Sequence, residues 1–178
     1  VGFHARASDV IVEIPACQLL HPDLLPAREV ILQLCQIASS RKGEISATVT
    51  LSDAGLDIAV VGGKPLDGPL LARLAQEVER FKLARLTWDG EVVATRSVPA
   101  QSFGAASVVP PPGAFLQATQ DGETALLHAV KEAITQGDSG IDLFAGCGTF
   151  TLPLAMTYRM HGVEGDNAMV AAMDAGWR

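Results

Sequence analysis

The chain has 178 residues, of which 48% are apolar and 19% are charged, and its formal net charge is −7. This composition predicts one folded domain or two small ones and excludes a disordered chain. No apolar run reaches the ~18 residues of a membrane span, and no signal-peptide pattern is present, so we expect a cytoplasmic protein without a membrane partner.

The charge is unevenly distributed along the chain. Residues 1–110 carry 10 basic and 12 acidic side chains, whereas residues 111–178 carry 3 basic and 8 acidic ones. Because nucleic-acid affinity comes largely from Lys and Arg contacts to phosphates, the charge of this chain by itself does not predict strong nucleic-acid binding. If the substrate is a nucleic acid, its main basic surface lies elsewhere.

Residues 1–110 alternate between strand patterns and helix patterns, which predicts an α+β domain. Residues 1–16 predict a hairpin with "RASD" as its turn, and "PDLLPAREVILQLCQIAS" has helical spacing. Next, "EISATVTLSD" and "LDIAVVGG" predict a second hairpin, and "LARLTWDGEVVATRS" contains Asp89-Gly90, a strong hairpin signal. Since hairpins join most of these strands, we expect a largely antiparallel sheet.

The stretch "DGPLLARLAQEVERFK" predicts an amphipathic helix between the second and third hairpins. Asp67 is placed to cap its first turn. Helical spacing puts five apolar residues on one face, which should therefore be buried: Leu70, Leu71, Leu74, Val78 and Phe81.

The pattern changes at "VVPPPGAF", where Pro110–Gly113 predict a domain boundary. Residues 111–178 then alternate helix, strand, helix, strand and helix, which is typical of parallel βαβ units with ligands at the carboxyl ends of the strands. Because only two strands are present and the chain starts at Val1 without Met, we expect an incomplete domain in a segment of a longer protein.

The most informative motif is "DLFAGCGTF", in which an apolar strand pattern runs into Gly146-Cys147-Gly148. No lysine follows Gly148, which excludes a P-loop, and Thr151 replaces the third glycine of a dinucleotide fold. S-adenosylmethionine remains as the candidate ligand, since its binding needs a backbone that it can approach closely and a carboxylate that accepts hydrogen bonds from its ribose hydroxyls. Glu164 ends the next strand pattern and meets that need, although a tight turn with a solvated glutamate remains an alternative.

A family resemblance covers essentially the whole chain. The stretches "FLQAT", "DLFAGCGTFTLPLA" and "HGVEGD" resemble the S-adenosylmethionine-dependent RNA (uracil-5-)-methyltransferases of bacteria, and "VGFHARASDVIVEIPACQLLHP" looks like their central domain. The resemblance implies an α/β fold, with a central α+β domain over 1–110 followed by the first part of a Rossmann-like class I methyltransferase domain over 111–178. The implied activity is methyl transfer to C5 of uracil in ribosomal or transfer RNA.

The resemblance also implies a set of residues that bind S-adenosylmethionine. Gln117 would contact the methyl donor, and Phe144 with the Gly146/Gly148 turn would line the methionine and adenosine pocket. Thr149 stands where the family often has Asn, and its hydroxyl can still donate and accept. Glu164 would hold the ribose hydroxyls.

The three cysteines do not form a recognisable disulfide or metal pattern. Many family members hold a four-iron cluster with four cysteines, and Cys17 matches one of them. A single thiolate cannot bind such a cluster, so Cys17 is a free thiol, a remnant ligand or a core residue. Cys35 lies in a helical apolar pattern that predicts burial.

The resemblance places the attacking cysteine after a "DPPR" loop, which this chain lacks. Cys147 lies inside the cofactor turn, so we assign no nucleophile and no base within the chain and expect both beyond Arg178. We therefore expect the chain alone to be inactive and its "IDLFAG" edge to favour self-association. Two alternatives remain, a methyltransferase for another substrate class and a non-catalytic protein-interaction module.

Overall fold

The computed structural model describes residues 1–14, 16–38, 43–134 and 136–178. The chain divides into two compact units, Val1–Val98 and Pro99–Arg178. This division lies earlier in the chain than the boundary that we predicted at Pro110–Gly113. The difference arises from a hairpin within residues 101–108, whose apolar side chains are buried in the second unit.

Among its described residues, the first unit contains a separate hairpin, a four-stranded sheet and two α-helices. Its sheet has the order β3-β4-β5-β6, and β1 pairs with β2 as predicted. The elements are β1 (Gly2–His4), β2 (Ile11–Glu13), α1 (Ala27–Ala38), β3 (Ser46–Ser52), β4 (Gly55–Val61), α2 (Gly68–Arg80), β5 (Arg85–Trp88) and β6 (Glu91–Thr95).

Two of the three pairings in this sheet are antiparallel, as the hairpin signals predict. The β5–β6 turn is Asp89-Gly90, where both residues have positive φ (46° and 86°), which matches the twist of a two-residue hairpin. The pairing of β4 with β5 is parallel, because α2 connects these two strands as a crossover. The sheet is therefore mixed.

The core of the first unit lies between the sheet and helices α1 and α2. The Asp67 side chain accepts a hydrogen bond from the Leu70 amide at 2.7 Å, which confirms the predicted cap. Leu70, Leu74 and Val78 are buried at spacing i, i+4, i+8. Leu71 is 40% exposed, so its predicted burial is wrong, although helical spacing places it only about 20° around the helix from the buried Val78.

Helix α1 confirms the helical pattern in "PDLLPAREVILQLCQIAS", and a 3₁₀ turn at Pro22–Leu24 precedes it. Its buried residues are Ala27, Val30, Leu34 and Ala38. Cys35 is half-buried rather than buried, because it lies beside this stripe and not on it. Burial raises the pKa of the Cys35 thiol.

Where the structure describes it, the second unit contains two small sheets and three helices, and the elements after residue 111 follow the predicted alternating order. β7 pairs with β8 antiparallel, and β9 pairs with β10 parallel. The elements are β7 (Gln101–Phe103), β8 (Ala106–Val108), α3 (Gln120–Ala133), β9 (Ser139–Leu143), α4 (Thr151–Ala155), β10 (Arg159–Val163) and α5 (Asn167–Trp177).

The core of the second unit joins its hairpin to the βαβ segment. Phe103 and Val108 of the hairpin are buried with Cys147, Leu152 and Met173 of that segment. This packing explains why residues 101–108 belong to the second unit and not to the first. The two units thus have separate apolar cores.

Candidate functional site

The connection from β9 to α4 is a tight turn built on left-handed backbone conformations. Phe144, Gly146 and Gly148 have φ values of 63°, 57° and 96°. Glycine adopts such values without steric cost, which is the local reason for both glycines. Phe144 adopts one despite its side chain, and this side chain is 89% exposed at the carboxyl end of β9.

The two glycines differ in their surroundings. A Cβ added at Gly148 would lie 2.7 Å from Leu152 Cγ and 2.9 Å from Met173 Cγ, so Gly148 is required for packing of the core. A Cβ added at Gly146 would meet no atom within 4 Å. The backbone at Gly146 is therefore open to close approach by a ligand.

Glu164 directly follows β10 and reaches the glycine turn. The parallel register pairs Leu143 with Val163, and the Ala145 amide donates to the Val163 carbonyl at 3.1 Å. The Gly146 amide then donates to Glu164 Oε2 at 2.8 Å. The predicted geometry, with adjacent parallel strands and a carboxylate closing the second one, is confirmed by this register.

Three backbone amides hold the Glu164 carboxylate. Besides Gly146, the amides of Gly165 and Asp166 donate to Oε1 at 2.7 and 2.9 Å. The hydrogen bond from Asp166, followed by that from Gly146, lowers the pKa of Glu164. A carboxylate accepts about four hydrogen bonds, so an ionised Glu164 retains capacity for a further hydroxyl donor.

A side-chain hydrogen bond links the two ends of the glycine turn. Thr151 Oγ1, at the start of α4, donates to Asp142 Oδ2 of β9 at 2.6 Å, and Thr151 is buried. This link spans the whole glycine turn and ties the end of β9 to the start of α4. The sequence pattern marks Thr151 only as the replacement of a third glycine, because nothing local identifies a Thr nine residues after an Asp as its hydrogen-bond partner.

Thr149 lies inside the glycine turn, and Gln117 lies in a segment that packs near it. Gln117 is half-buried just before α3, and its neighbour Leu116 packs against the cluster that contains Ala145 and Cys147. Thr149 is half-buried inside the turn. Both residues therefore lie in segments that pack at the glycine turn, while their contacts to a cofactor stay predictions.

Cys147 is 1% exposed and points into the core of the second unit. Burial raises the pKa of its thiol. Hydrogen bonds with the Cys147 backbone and the Thr149 side chain lower this pKa and offset part of the rise. A buried thiol with a raised pKa is a poor nucleophile. This agrees with our expectation that Cys147 is not the catalytic nucleophile.

Cys17 is half-buried and free. Within the described residues, no group of three or more His, Cys, Asp or Glu side chains could hold a metal ion. The residues present thus do not fit a four-iron cluster, and no chemistry follows from one here. In the same described ranges, no helix has the length and apolar character needed to cross a membrane.

Proteins that are similar in sequence to this chain are named RNA methyltransferases. No protein-family model matches the chain. An uncharacterized RNA methyltransferase of Mesorhizobium japonicum is 35% identical over 179 residues, which cover 100% of this chain and 43% of the relative. One from Rhizobium meliloti is 34% identical over 98% of this chain and 42% of the relative.

Over its whole length, the chain is therefore similar to part of these RNA methyltransferases. The 23S rRNA (uracil(1939)-C(5))-methyltransferase RlmD of Nitrosococcus oceani is a further relative, 28% identical over 96% of this chain and 40% of its own length. The chain thus spans less than half the length of the RNA methyltransferases that it matches. The resemblance to RNA methyltransferases seen in "DLFAGCGTFTLPLA" is confirmed by these relatives.

A solved structure confirms the fold class. The Pyrococcus abyssi tRNA (uracil-54, C5)-methyltransferase, crystallised with S-adenosyl-L-homocysteine, superposes with a TM-score of 0.72 at 16% identity. The match covers 98% of this chain and 48% of that structure. At this identity the likeness concerns the fold alone.

Proposed function

We propose that the protein carrying this chain transfers a methyl group from S-adenosylmethionine to C5 of a uracil in RNA. The observation that carries the proposal is the link from the Gly146 amide to Glu164 Oε2 at the carboxyl ends of two parallel strands. Open α/β sheets bind nucleotide-like ligands at this edge.

The cofactor part of the proposal rests on complementary chemistry. The open space at Gly146 lets an adenosine or amino-acid moiety approach the backbone, and the ionised Glu164 can accept a ribose hydroxyl. We assign Phe144, Gly148 and Thr149 to the same site because they lie in the glycine turn, and Gln117 because its neighbour Leu116 packs against the cluster that contains Ala145 and Cys147. When bound, S-adenosylmethionine supplies an electrophilic methyl group, and this chain holds and orients it.

The substrate part rests on the names of related proteins. RlmD is named for uracil C5 of 23S rRNA, and the Pyrococcus abyssi enzyme is named for uracil 54 of tRNA. Uracil C5 is the atom common to both. We therefore propose uracil C5 in RNA as the acceptor for this protein and leave the RNA and the position open.

The test uses the full-length protein that carries this sequence. It is incubated with labelled S-adenosylmethionine and either unmodified ribosomal and transfer RNA, a protein mixture or small acceptors, and the RNA is digested and analysed for 5-methyluridine. We expect label only in RNA, as 5-methyluridine. Label in protein or small molecules would support a different methyltransferase, and absence of S-adenosylmethionine binding by calorimetry would support an interaction module.

A further inference from the structure

The hydrogen bond between Thr151 and Asp142 closes a loop around the glycine turn. Thr151 Oγ1 donates to Asp142 Oδ2 at 2.6 Å, and Thr151 is buried. Asp142 lies in β9 and Thr151 begins α4, so every residue of the turn lies between the two partners. We call this hydrogen bond the Asp142–Thr151 brace.

The Thr151 hydroxyl also lies beside the second parallel strand. A Cβ added at Gly162 of β10 would lie 3.3 Å from Thr151 Oγ1 and 3.1 Å from Met173 Cε. Gly162 faces Asp142 in the parallel register and precedes Glu164 by two residues. The brace therefore connects α4 to both strands, close to the end of the sheet that carries Glu164.

The backbone of the turn needs such a restraint. Phe144, Gly146 and Gly148 adopt left-handed conformations, and the two glycines have access to more backbone conformations than other residues. A connection that is fixed at both ends has fewer conformations open to it. In the conformation held by the brace, the Gly146 amide donates to Glu164, which is the arrangement that we assign to the cofactor.

We infer that Thr151 is a positioning residue for the methyl donor, acting through the Asp142 carboxylate on the glycine turn. The inference rests on the proposed function, because it concerns the same cofactor site. Thr151 is buried, so it acts on the ligand without touching it. Loss of the brace lowers the fraction of molecules with the binding conformation, and the apparent affinity falls by the same factor.

Steady-state methylation kinetics of the full-length protein test the inference. Thr151→Val keeps the shape of the side chain and removes its hydroxyl. We expect the KM for S-adenosylmethionine to rise by about 10-fold, the effect of one hydrogen bond to a carboxylate, with kcat unchanged because saturating ligand selects the binding conformation. Thr151→Ser keeps the hydroxyl and should keep the KM near the wild-type value.

A double-mutant cycle separates positioning from a direct contact between Asp142 and the ligand. Asp142→Asn replaces the carboxylate with a weaker, neutral acceptor, so it also tests the brace if Thr151→Val does not fold. We expect Asp142→Asn to raise the KM less than Thr151→Val does. Thr151→Val should then have a smaller effect in the Asp142→Asn background than in the wild type. Fully additive effects would overturn the inference.

A matched control removes a buried hydroxyl from the first unit. Ser52 is buried, and its Oγ donates to the Gly55 carbonyl at 2.7 Å. Ser52→Ala should lower the free energy of unfolding, as Thr151→Val does, and leave the KM for S-adenosylmethionine unchanged. An equal rise in KM for both variants would assign the effect to stability and overturn the positioning role.

The outcomes separate this inference from the proposed function. An unchanged KM in Thr151→Val, or a lower kcat at unchanged KM, would overturn the role of Thr151 while the cofactor site stands. A wild-type protein that neither binds S-adenosylmethionine nor forms 5-methyluridine would overturn the proposed function, and the inference with it.

Discussion

At the scale of single residues, the two glycines of the turn serve different purposes, and alanine substitutions should separate them. We expect Gly148→Ala to lower the free energy of unfolding by about 2–4 kcal/mol, because it combines a left-handed backbone with overlap against Leu152 and Met173. Gly146→Ala should cost only about 1 kcal/mol, since its Cβ meets no atom, yet it should weaken S-adenosylmethionine binding. Urea unfolding and calorimetry check both, and equal stability losses would contradict this distinction.

Also at this scale, the three amides on Glu164 predict a pH dependence. Hydrogen bonding, first from the Asp166 amide, lowers the pKa of Glu164 below its ordinary value of 4.5. Because the folded-state pKa is the lower one, the stabilisation is complete above 4.5 and is lost as the pH falls through the folded-state pKa. We expect unfolding measured between neutral and acidic pH to show this loss in the wild type and not in Glu164→Gln. Identical pH profiles would show that the three hydrogen bonds do not couple to stability.

At the scale of secondary-structure elements, the parallel pair β4–β5 contains a buried ion pair at facing register positions. Arg85 Nε and Nη2 donate to the two carboxylate oxygens of Asp57 at 2.9 and 2.6 Å, and both side chains are about nine-tenths buried. Removing one partner leaves a buried charge, so Asp57→Ala should cost about 3–5 kcal/mol. Asp138→Ala, which removes the exposed pair with Arg159, should cost at most about 1 kcal/mol. Chemical denaturation measures both, and a small loss for Asp57→Ala would contradict a buried structural pair.

At the scale of the whole molecule, the sheet of the second unit leaves apolar side chains in solvent. In the described ranges β9 pairs only with β10, and Ile141, Leu143 and Val163 are 68%, 64% and 43% exposed. An unpaired strand edge beside such side chains is complementary to a copy of itself, so we propose that the 178-residue chain self-associates through β9. Sedimentation velocity at several concentrations should show self-association of the wild-type chain. The double substitution Ile141→Lys and Leu143→Lys should abolish it. A monomer at every concentration would contradict the proposal.

The features that could be predicted from the sequence are those that depend on interactions within a few residues. The Asp67 cap, the Asp89-Gly90 hairpin and the glycine turn before α4 follow from local hydrogen bonds and from which residues tolerate positive φ. The placement of Glu164 also followed, because βαβ chirality and spacing bring consecutive parallel strands side by side.

The contacts between groups that are distant in sequence could not be predicted and depend on the folded chain. The hairpin at residues 101–108 joins the second unit because Phe103 and Val108 find their apolar partners around Cys147 and Met173. The Asp142–Thr151 brace and the exposure of Leu71 depend on how whole elements pack against one another. Local patterns carry no information about such contacts, since the free energy of burial depends on neighbours that only the folded chain supplies.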